Sequence, residues 1–592
     1  MCGIVGCIGI KDPRDYVIKG LKTLSYRGYD SAGLAFINHG INIIKDKGNV
    51  EHLDDIVPPS FESNLAIGHT RWATHGVASK NNAHPHISNH HLFSLVHNGV
   101  IENYVSIKSF LDKQGYIFSS ETDSEVIVNL IEYYYLKGDD MLEVLYKVNE
   151  KLEGSYALCI IKEDDPDHIY VMRTGSPLLI GVGNDFHLIS SDASAMIDYT
   201  NQFIELNDGE YGIVSKDKAT IYNDRAEEVE KSFISRDAAD VSTDLKGYPF
   251  YMVKEIEEIP EIADRLIKTY YQDGKYAFDE ELIKSIKKAD HVIFIACGTS
   301  YHASLVGGRL FESFYNVSTS EYIASEWANH PRIPGEWPFV ILISQSGETA
   351  DLIRCQKIVQ EKGIPSLVIT NTLGSTLYRN SPYSLLLHAG KEVSVASTKA
   401  YVAQVLVLSL LVGAVSDNNK IISDINKAVK VIPMVQNQRD DFALLANRIK
   451  SSHSLYFLGR GYDYLLSLEA SLKLKEVSYI HSECFPGGEI KHGPIALIDK
   501  NTPVIVFISD EENVSNMRGN IKEVESRGAR TFVISTKNLS VDTDSIVVDD
   551  FPYYLTSLVI STAAFYIAYY TAVAKGYNVD RPRNLAKSVT VE

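Results

Sequence analysis

A chain of 592 residues is too long for one hydrophobic core and predicts two to four domains. With 45% hydrophobic and 22% charged residues its composition is that of an ordinary soluble globular protein. The formal charge of −19, with no concentrated run of Lys and Arg, argues against a nucleic-acid partner, although a local cationic pocket survives in an acidic protein. Six cysteines show neither a framework spacing nor a CxxC motif, which fits a reducing, cytoplasmic setting. No His/Cys cluster has metal-ligand spacing, so no metal is expected.

The chain begins Met1-Cys2-Gly3-Ile4-Val5-Gly6, so loss of one methionine places a thiol beside its own α-amine. Such an amine, with a pKa near 8, can take the thiol's proton directly or through water. Short apolar strands follow at 65–68, 93–96 and 156–161, with helical stretches near 13–24 and 123–150. Between them lie His69-Thr-Arg71-Trp72-Ala-Thr-His-Gly76 and Val96-His-Asn98-Gly99. A thiolate attacking a carboxamide needs donors for the developing oxyanion, and Asn98 offers an NH2 while Gly99 offers an unshielded N–H. Arg71 suits an α-carboxylate and Asp123 an α-ammonium, so the set fits an amino acid with a side-chain amide. Singly, Asn98-Gly99 also reads as a hairpin turn, Arg71 as a surface ion pair and Asp123 as a helix N-cap.

Residues 232–247 are polar and unpatterned and read as a linker, before a helix beginning at Tyr251. The remainder contains an internal repeat. Val292–Gly298 and Leu455–Gly461 are each an apolar strand ending in glycine, and Lys362–Thr370 matches Arg527–Ser535 about 165 positions on. Each copy reads strand–helix–strand–helix, the pattern of a parallel sheet flanked by helices. Cys297-Gly-Thr299-Ser300 and Ser344-Gln345-Ser346-Gly-Glu-Thr349 sit at strand ends before helices, where free N–H groups and hydroxyls bind phosphate or where the hydroxyls merely cap. There is no Walker lysine or GxGxxG to suggest a nucleotide. Glu469, Lys473 and Glu476 share one helical face by spacing, and His492 lies in a Gly/Pro-bounded loop. The uncharged run 551–574 carries Pro552, several Tyr and repeated Ser/Thr, so it reads as a buried helix and not a membrane span, as does 400–416.

Cys2-Gly-Ile-Val-Gly, the 26–33 segment Tyr-Arg27-Gly-Tyr-Asp-Ser-Ala-Gly, HTRWATHG and VHNG resemble the glutaminase domain of N-terminal-nucleophile amidotransferases. The SQSGET loop resembles the sugar-phosphate isomerase (SIS) fold, and the whole pattern is most similar to the glucosamine-6-phosphate synthase family, in a bacterial-type form without a long insertion. The resemblance implies an α/β/β/α glutaminase domain at 2–235, a linker at 236–247, tandem SIS-type parallel α/β domains at 248–435 and 436–580, and a tail at 581–592 completing the synthase site. It implies Cys2 as nucleophile, Asn98 and Gly99 as oxyanion hole, Arg71 and Asp123 as glutamine anchors, Trp72 as a gate and Arg27 as a shaper of the site. Ser344, Gln345, Ser346 and Thr349 would hold the sugar phosphate, with Thr299 and Ser300 nearby and Val395 and Ser397 as a further wall. Glu476 would shuttle the C1–C2 proton beside Lys473, His492 would open the ring from a loop supplied by a partner subunit, and Lys587 would form the Schiff base. The substrates implied are L-glutamine and fructose 6-phosphate, the product glucosamine 6-phosphate, the assembly a homodimer, with no PLP, nicotinamide or other cofactor. Trp72 and the tail around Lys587 are candidate walls of an ammonia path. Residues 484–487 depart from the family pattern and carry no expected role. Two rival readings are a related enzyme of another ketose or amino-sugar phosphate, and a sugar-phosphate sensor.

Overall fold

The computed structural model describes residues 2–72, 76–235 and 244–589. They fall into two compact units, Met1–Asp244 with Ala586–Glu592, and Leu245–Leu585.

The first unit is built on two antiparallel sheets. Gly3–Ile8, Leu65–Arg71, Ser31–Ile37 and Ile41–Lys47 run side by side in an eight-stranded sheet, and Phe93–Ile101, Gly154–Lys162 and Asp165–Thr174 are neighbours in a seven-stranded one. Alternation along each strand sends one set of side chains between the sheets: Ile4, Ile8 and Ile67 from the first meet Val96, Ala157 and Val171 from the second. The opposite faces are covered by helices. Pro13–Leu24 lies on the first sheet, and Ser124–Leu136 lies against the second, where Leu95 and Leu158 join Val126 and Leu130 in a separate core. The layers are therefore α/β/β/α, as the resemblance implies. The stretch expected as one helix at 123–150 is two, Ser124–Leu136 and Met141–Lys151. The break has a local cause: Gly138 takes a φ of +99°, and Asp140 caps the second helix by accepting from the Glu143 N–H. Of the polar stretch 232–247, Ile234–Ser235 still pairs with Gln202–Phe203, so the sheet runs up to the 236–247 expected for the linker; residues 236–243 lie outside the described residues.

The second unit holds two five-stranded parallel sheets. In chain order the first has His291–Ala296, Ser318–Ile323, Pro338–Ser344, Ser366–Thr370 and Tyr383–Leu386; the second has Ser454–Gly459, His481–Pro486, Pro503–Ile508, Arg530–Thr536 and Ile546–Val548. Both have the spatial order second, first, third, fourth, fifth. The chain reverses its direction of winding between the first and third strands, so a crevice opens beyond their carboxyl ends. In the first sheet those strands lead into Cys297 with the first turn of helix Gly298–Tyr315 and into the 345–349 loop, so the topology itself places the two Ser/Thr-rich segments together.

The two repeats do not separate into independent bodies as the repeat pattern suggests. Phe294 and Ile341 of one sheet and Phe457 and Ile505 of the other belong to a single core, joined by helices Lys399–Val415 and Ser561–Ala574. Every residue of Lys399–Val415 is buried, and the apolar segment Tyr553–Ala574 is mostly buried too. Both are apolar on all sides because each is surrounded by protein. Residue 435, expected as a domain boundary, lies inside the helix Asn419–Asn437.

Candidate active sites

In the first unit, side-chain alternation creates the Cys2 site. Ile4 faces the gap between the sheets, and Cys2, two residues earlier, has the same parity; so do His69 and Arg71 after Ile67, and Asn98 after Val96. The half-buried Cys2 Sγ lies 3.4 Å from the Trp72 N–H and 3.6 Å from the Trp72 carbonyl. Burial raises the Cys2 thiol above its ordinary range, opposed only in part by the Trp72 N–H and by the Arg71 charge. A thiol so disposed is protonated at neutral pH and needs a base before it attacks.

Asn98 and Gly99 are not a hairpin turn. Both lie within Phe93–Ile101, opposite Ala157 and Tyr156. Asn98 Nδ2 donates to the Cys2 carbonyl at 3.1 Å, and its Oδ1 lies 3.1 Å from His69 Nε2. Gly99 has φ +134°, and a Cβ there would stand 2.0 Å from the Ser155 carbonyl oxygen, so no other residue leaves this N–H in place. Asp123 precedes helix Ser124–Leu136 but makes no side-chain cap; its Oδ2 instead accepts from the Ile101 N–H at 2.8 Å. This ties Asp123 to the strand that carries Asn98 and Gly99. Arg71 is 97% buried, which depresses its pKa, and its Nη2 donates to the Gly76 carbonyl at 3.2 Å. It is a core guanidinium and not a surface ion pair. Arg27 pairs with Asp192 at 2.7 Å, a carboxylate that also accepts from Tyr26. Residues 73–75 of the HTRWATHG segment lie outside the described residues.

In the second unit, Ser344 Oγ lies 2.9 Å from Thr349 Oγ1 and accepts from the Gly347 N–H, while Ser346 Oγ accepts from the Glu348 N–H. Thr349 stands at the N-cap of helix Ala350–Glu361 without a side-chain cap bond. Its hydroxyl is turned towards Ser344, so it does not cap the first N–H groups of the helix. The Gln345 carbonyl accepts from the Asn371 N–H, which pins the loop to the neighbouring strand end. Thr299 and Ser300 diverge: Thr299 donates to Glu469 at 3.1 Å, whereas Ser300 accepts from Gln404 at 2.9 Å. Ser397 donates to Glu392, which also accepts from the Thr398 and Ala400 N–H groups, and the Val395 N–H donates to the Asp580 carbonyl. Asp580 in turn accepts from the Tyr251 and Met252 N–H groups at 2.8 Å each.

Helix Tyr462–Ser478 brings Glu469, Lys473 and Glu476 together. Lys473 Nζ is 2.5 Å from Glu476 and 3.4 Å from Glu469, with Lys473 and Glu469 almost wholly buried. This is not a solvated salt-bridge face. Burial works against the Lys473 charge, but Glu469 and Glu476 outweigh it and hold its pKa above the ordinary lysine value. Lys473 is therefore a fixed cation, and Glu476 stands at the rim of the row, 19% exposed. His302 donates to Glu469 at 2.7 Å. His492 is exposed on the 3-10 turn Glu489–His492. Lys587 is half-buried in the segment that groups with the first unit. Cys484–Pro486 ends the edge strand His481–Pro486.

Sequence reasoning missed His69, His302, Glu392 and Asp580. Only helix packing brings His302 to Glu469, and no spacing signals it. For His69 the signal is its parity with Arg71 on one strand.

A glutamine amidotransferase domain model matches residues 55–222, and a SIS domain model matches 285–414 and 448–547. The chain is 45% identical to the glutamine–fructose-6-phosphate aminotransferase (isomerizing) of Geobacillus kaustophilus, 43% to that of Bacillus subtilis and 44% to that of Staphylococcus aureus, each over all of both chains. The solved structure of the C-terminal domain of glucosamine-fructose-6-phosphate aminotransferase from Francisella tularensis aligns in full with 58% of this chain, at 30% identity and a TM-score of 0.56. With an amidotransferase domain ahead of paired SIS repeats and full-length relatives of one name, the chain belongs to the glutamine–fructose-6-phosphate aminotransferase (isomerizing) family.

Proposed function

We propose that the enzyme hydrolyses L-glutamine at Cys2, delivers the ammonia to fructose 6-phosphate and isomerises the adduct to glucosamine 6-phosphate. With Met1 removed, the α-amine takes the Cys2 proton, and the thiolate attacks the side-chain amide held by Arg71 and Asp123. Asn98 Nδ2 and the Gly99 N–H stabilise the oxyanion, ammonia leaves past Trp72, and water cleaves the thioester to glutamate. In the other unit the Ser344–Thr349 loop and its helix N-terminus hold the phosphate, with Ser397 and Val395 closing the pocket. His492 opens the sugar ring and Lys587 forms an imine at C2, which ammonia displaces. Glu476 then moves a proton from C1 to C2, with the Lys473 cation keeping it ionised until it does so.

The observation that carries this reading is the Glu469–Lys473–Glu476 row, buried at Glu469 and Lys473 and open at Glu476, beside an intact Cys2 site. A sugar-phosphate sensor needs the phosphate loop and has no use for a proton carrier paired with a buried lysine cation. The six free thiols support a cytoplasmic setting, and the exposed His492 supports a homodimer in which it serves the partner's site. The test is to incubate protein with glutamine and fructose 6-phosphate and to quantify glutamate and glucosamine 6-phosphate together, alongside Cys2→Ala. Equal yields, both abolished in the variant, are expected. Glutamate without amino sugar would leave the glutaminase standing and overturn the assigned acceptor.

A further inference from the structure

His69 lies on Leu65–Arg71 with its ring wholly buried between the sheets, stacked on His84 at 4.2 Å. Its Nε2 is 3.0 Å from the His97 carbonyl oxygen and 3.1 Å from Asn98 Oδ1. A carbonyl oxygen only accepts, so Nε2 must carry a hydrogen. The other ring nitrogen, Nδ1, is buried and has no hydrogen-bond partner among the described residues, as suits an unprotonated nitrogen. Burial pushes His69 down to about 3, so the ring stays neutral at working pH.

Once Nε2 is a donor, the amide of Asn98 has one acceptable orientation. Oδ1 must face His69, and the NH2 must face Cys2, whose carbonyl takes one of its two hydrogens at 3.1 Å. The second hydrogen remains for the substrate. A flipped amide would set two N–H donors against each other at His69 and present a lone pair to the forming oxyanion.

We propose that His69 is a positioning residue for glutamine hydrolysis, locking the Asn98 amide so that its NH2 points at the oxyanion. This rests on the reading of Asn98 and Gly99 as the oxyanion donors. His69 touches no reacting atom, and its effect appears only when charge develops on the substrate oxygen. Ground-state binding through Arg71 and Asp123 is left intact.

The test compares His69→Leu, His69→Gln and Asn98→Ala in the full chain by glutaminase kinetics and by the rate of Cys2 alkylation with iodoacetamide, followed on the Cys2 peptide. Removing an oxyanion donor typically lowers kcat about 100- to 1,000-fold, and His69→Leu is expected to approach the lower figure with KM for glutamine changed less than about threefold. Alkylation needs the thiolate and no oxyanion hole, so its rate should hold within about twofold of wild type. His69→Gln, whose amide N–H reaches a similar point, should recover most of kcat, and adding His69→Leu to Asn98→Ala should cost nothing further. Wild-type kcat in His69→Leu beside a crippled Asn98→Ala would overturn the positioning role alone. Wild-type kcat in Asn98→Ala would overturn the oxyanion reading beneath it. Parallel loss of kcat and alkylation in both His69 variants would reduce His69 to a folding residue and overturn the proposal.

Discussion

The two parallel sheets of the second unit share a frame and differ in what they place at its open end. Ile293 faces Val340 across the first and third strands of one sheet, as Tyr456 faces Val504 in the other. Carried along equal strands, this sets Ser300, Gln345 and Ser346 against Asp463, Ser509 and Asp510. The helices after both third strands, Ala350–Glu361 and Val514–Glu525, lack a side-chain cap, and in the first repeat the loop before that helix offers the Ser344, Ser346 and Thr349 hydroxyls. In the second, the buried Asp463 carboxylate already accepts from the Ser509 N–H at 2.9 Å, the Ser509 hydroxyl at 2.5 Å and the Thr556 hydroxyl at 3.2 Å. The second repeat thus holds an anion of its own where the first has Ser300, a neutral hydroxyl that accepts from Gln404. Topology fixes where a site can be; three side chains decide whether it takes an anion or repels one.

Moving the second repeat's charge into the first should break the difference outright. Ser346→Asp can keep the hydrogen bond from the Glu348 N–H, so the loop should hold its shape while a carboxylate faces the phosphate. Like-charge juxtaposition costs several kcal/mol, so affinity for fructose 6-phosphate, measured by calorimetry, should fall about 1,000-fold, or about 4 kcal/mol. An affinity within tenfold of wild type would show that the phosphate binds elsewhere. The second repeat should show its own signature in pH dependence. Burial raises Asp463 from 3.8 to about 6 against the pull of its hydrogen bonds. A raised folded-state pKa favours the protonated fold, so this group's stabilisation is complete below pH 3.8 and is lost as pH rises through about 6. The loss is about 3 kcal/mol at 1.36 kcal/mol per pKa unit. In Asp463→Asn, urea midpoints between pH 4 and 7 should lose that slope; an unchanged slope would place the titration on another group.

How much of this was legible in the sequence follows from how far apart the partners lie in the chain. The strand–glycine–helix segments at 292–298 and 455–461 and the 165-residue offset of Ser366 from Thr531 give both sheets, because each rests on local pattern. Cys2, Arg71 and Asn98 were legible by chemistry, and parity on three strands explains why they meet. Asp123 read as a partner for an α-ammonium or, taken singly, as a cap; it does not cap its helix, because its carboxylate accepts from the Ile101 N–H. His302 and Glu469 are 167 positions apart and meet only where their helices pack. The shared core of the repeats was hidden too, because helices apolar on every face tell that they are buried without telling against what.

Single hydroxyls give a finer test of the comparison. Ser344→Ala removes one donor from the first repeat, and a hydrogen bond to a charged group contributes about 1.5–3 kcal/mol, so KM for fructose 6-phosphate should rise roughly 10- to 100-fold with kcat for glutamine hydrolysis less affected. Ser509→Ala takes the hydroxyl from the matching loop of the second repeat, where its partner is Asp463 and not a ligand. That change should leave KM within about twofold. It should instead lower the unfolding free energy by roughly 1–3 kcal/mol, because a buried carboxylate loses one of its three donors. The two substitutions are alike in chemistry and stand one position apart at the ends of matching strands, Ser344 as the last residue of its strand and Ser509 just after Ile508. If both moved KM, the second crevice would be a ligand site despite its carboxylate; if only Ser344→Ala did, the Asp463 carboxylate is what closes the second frame.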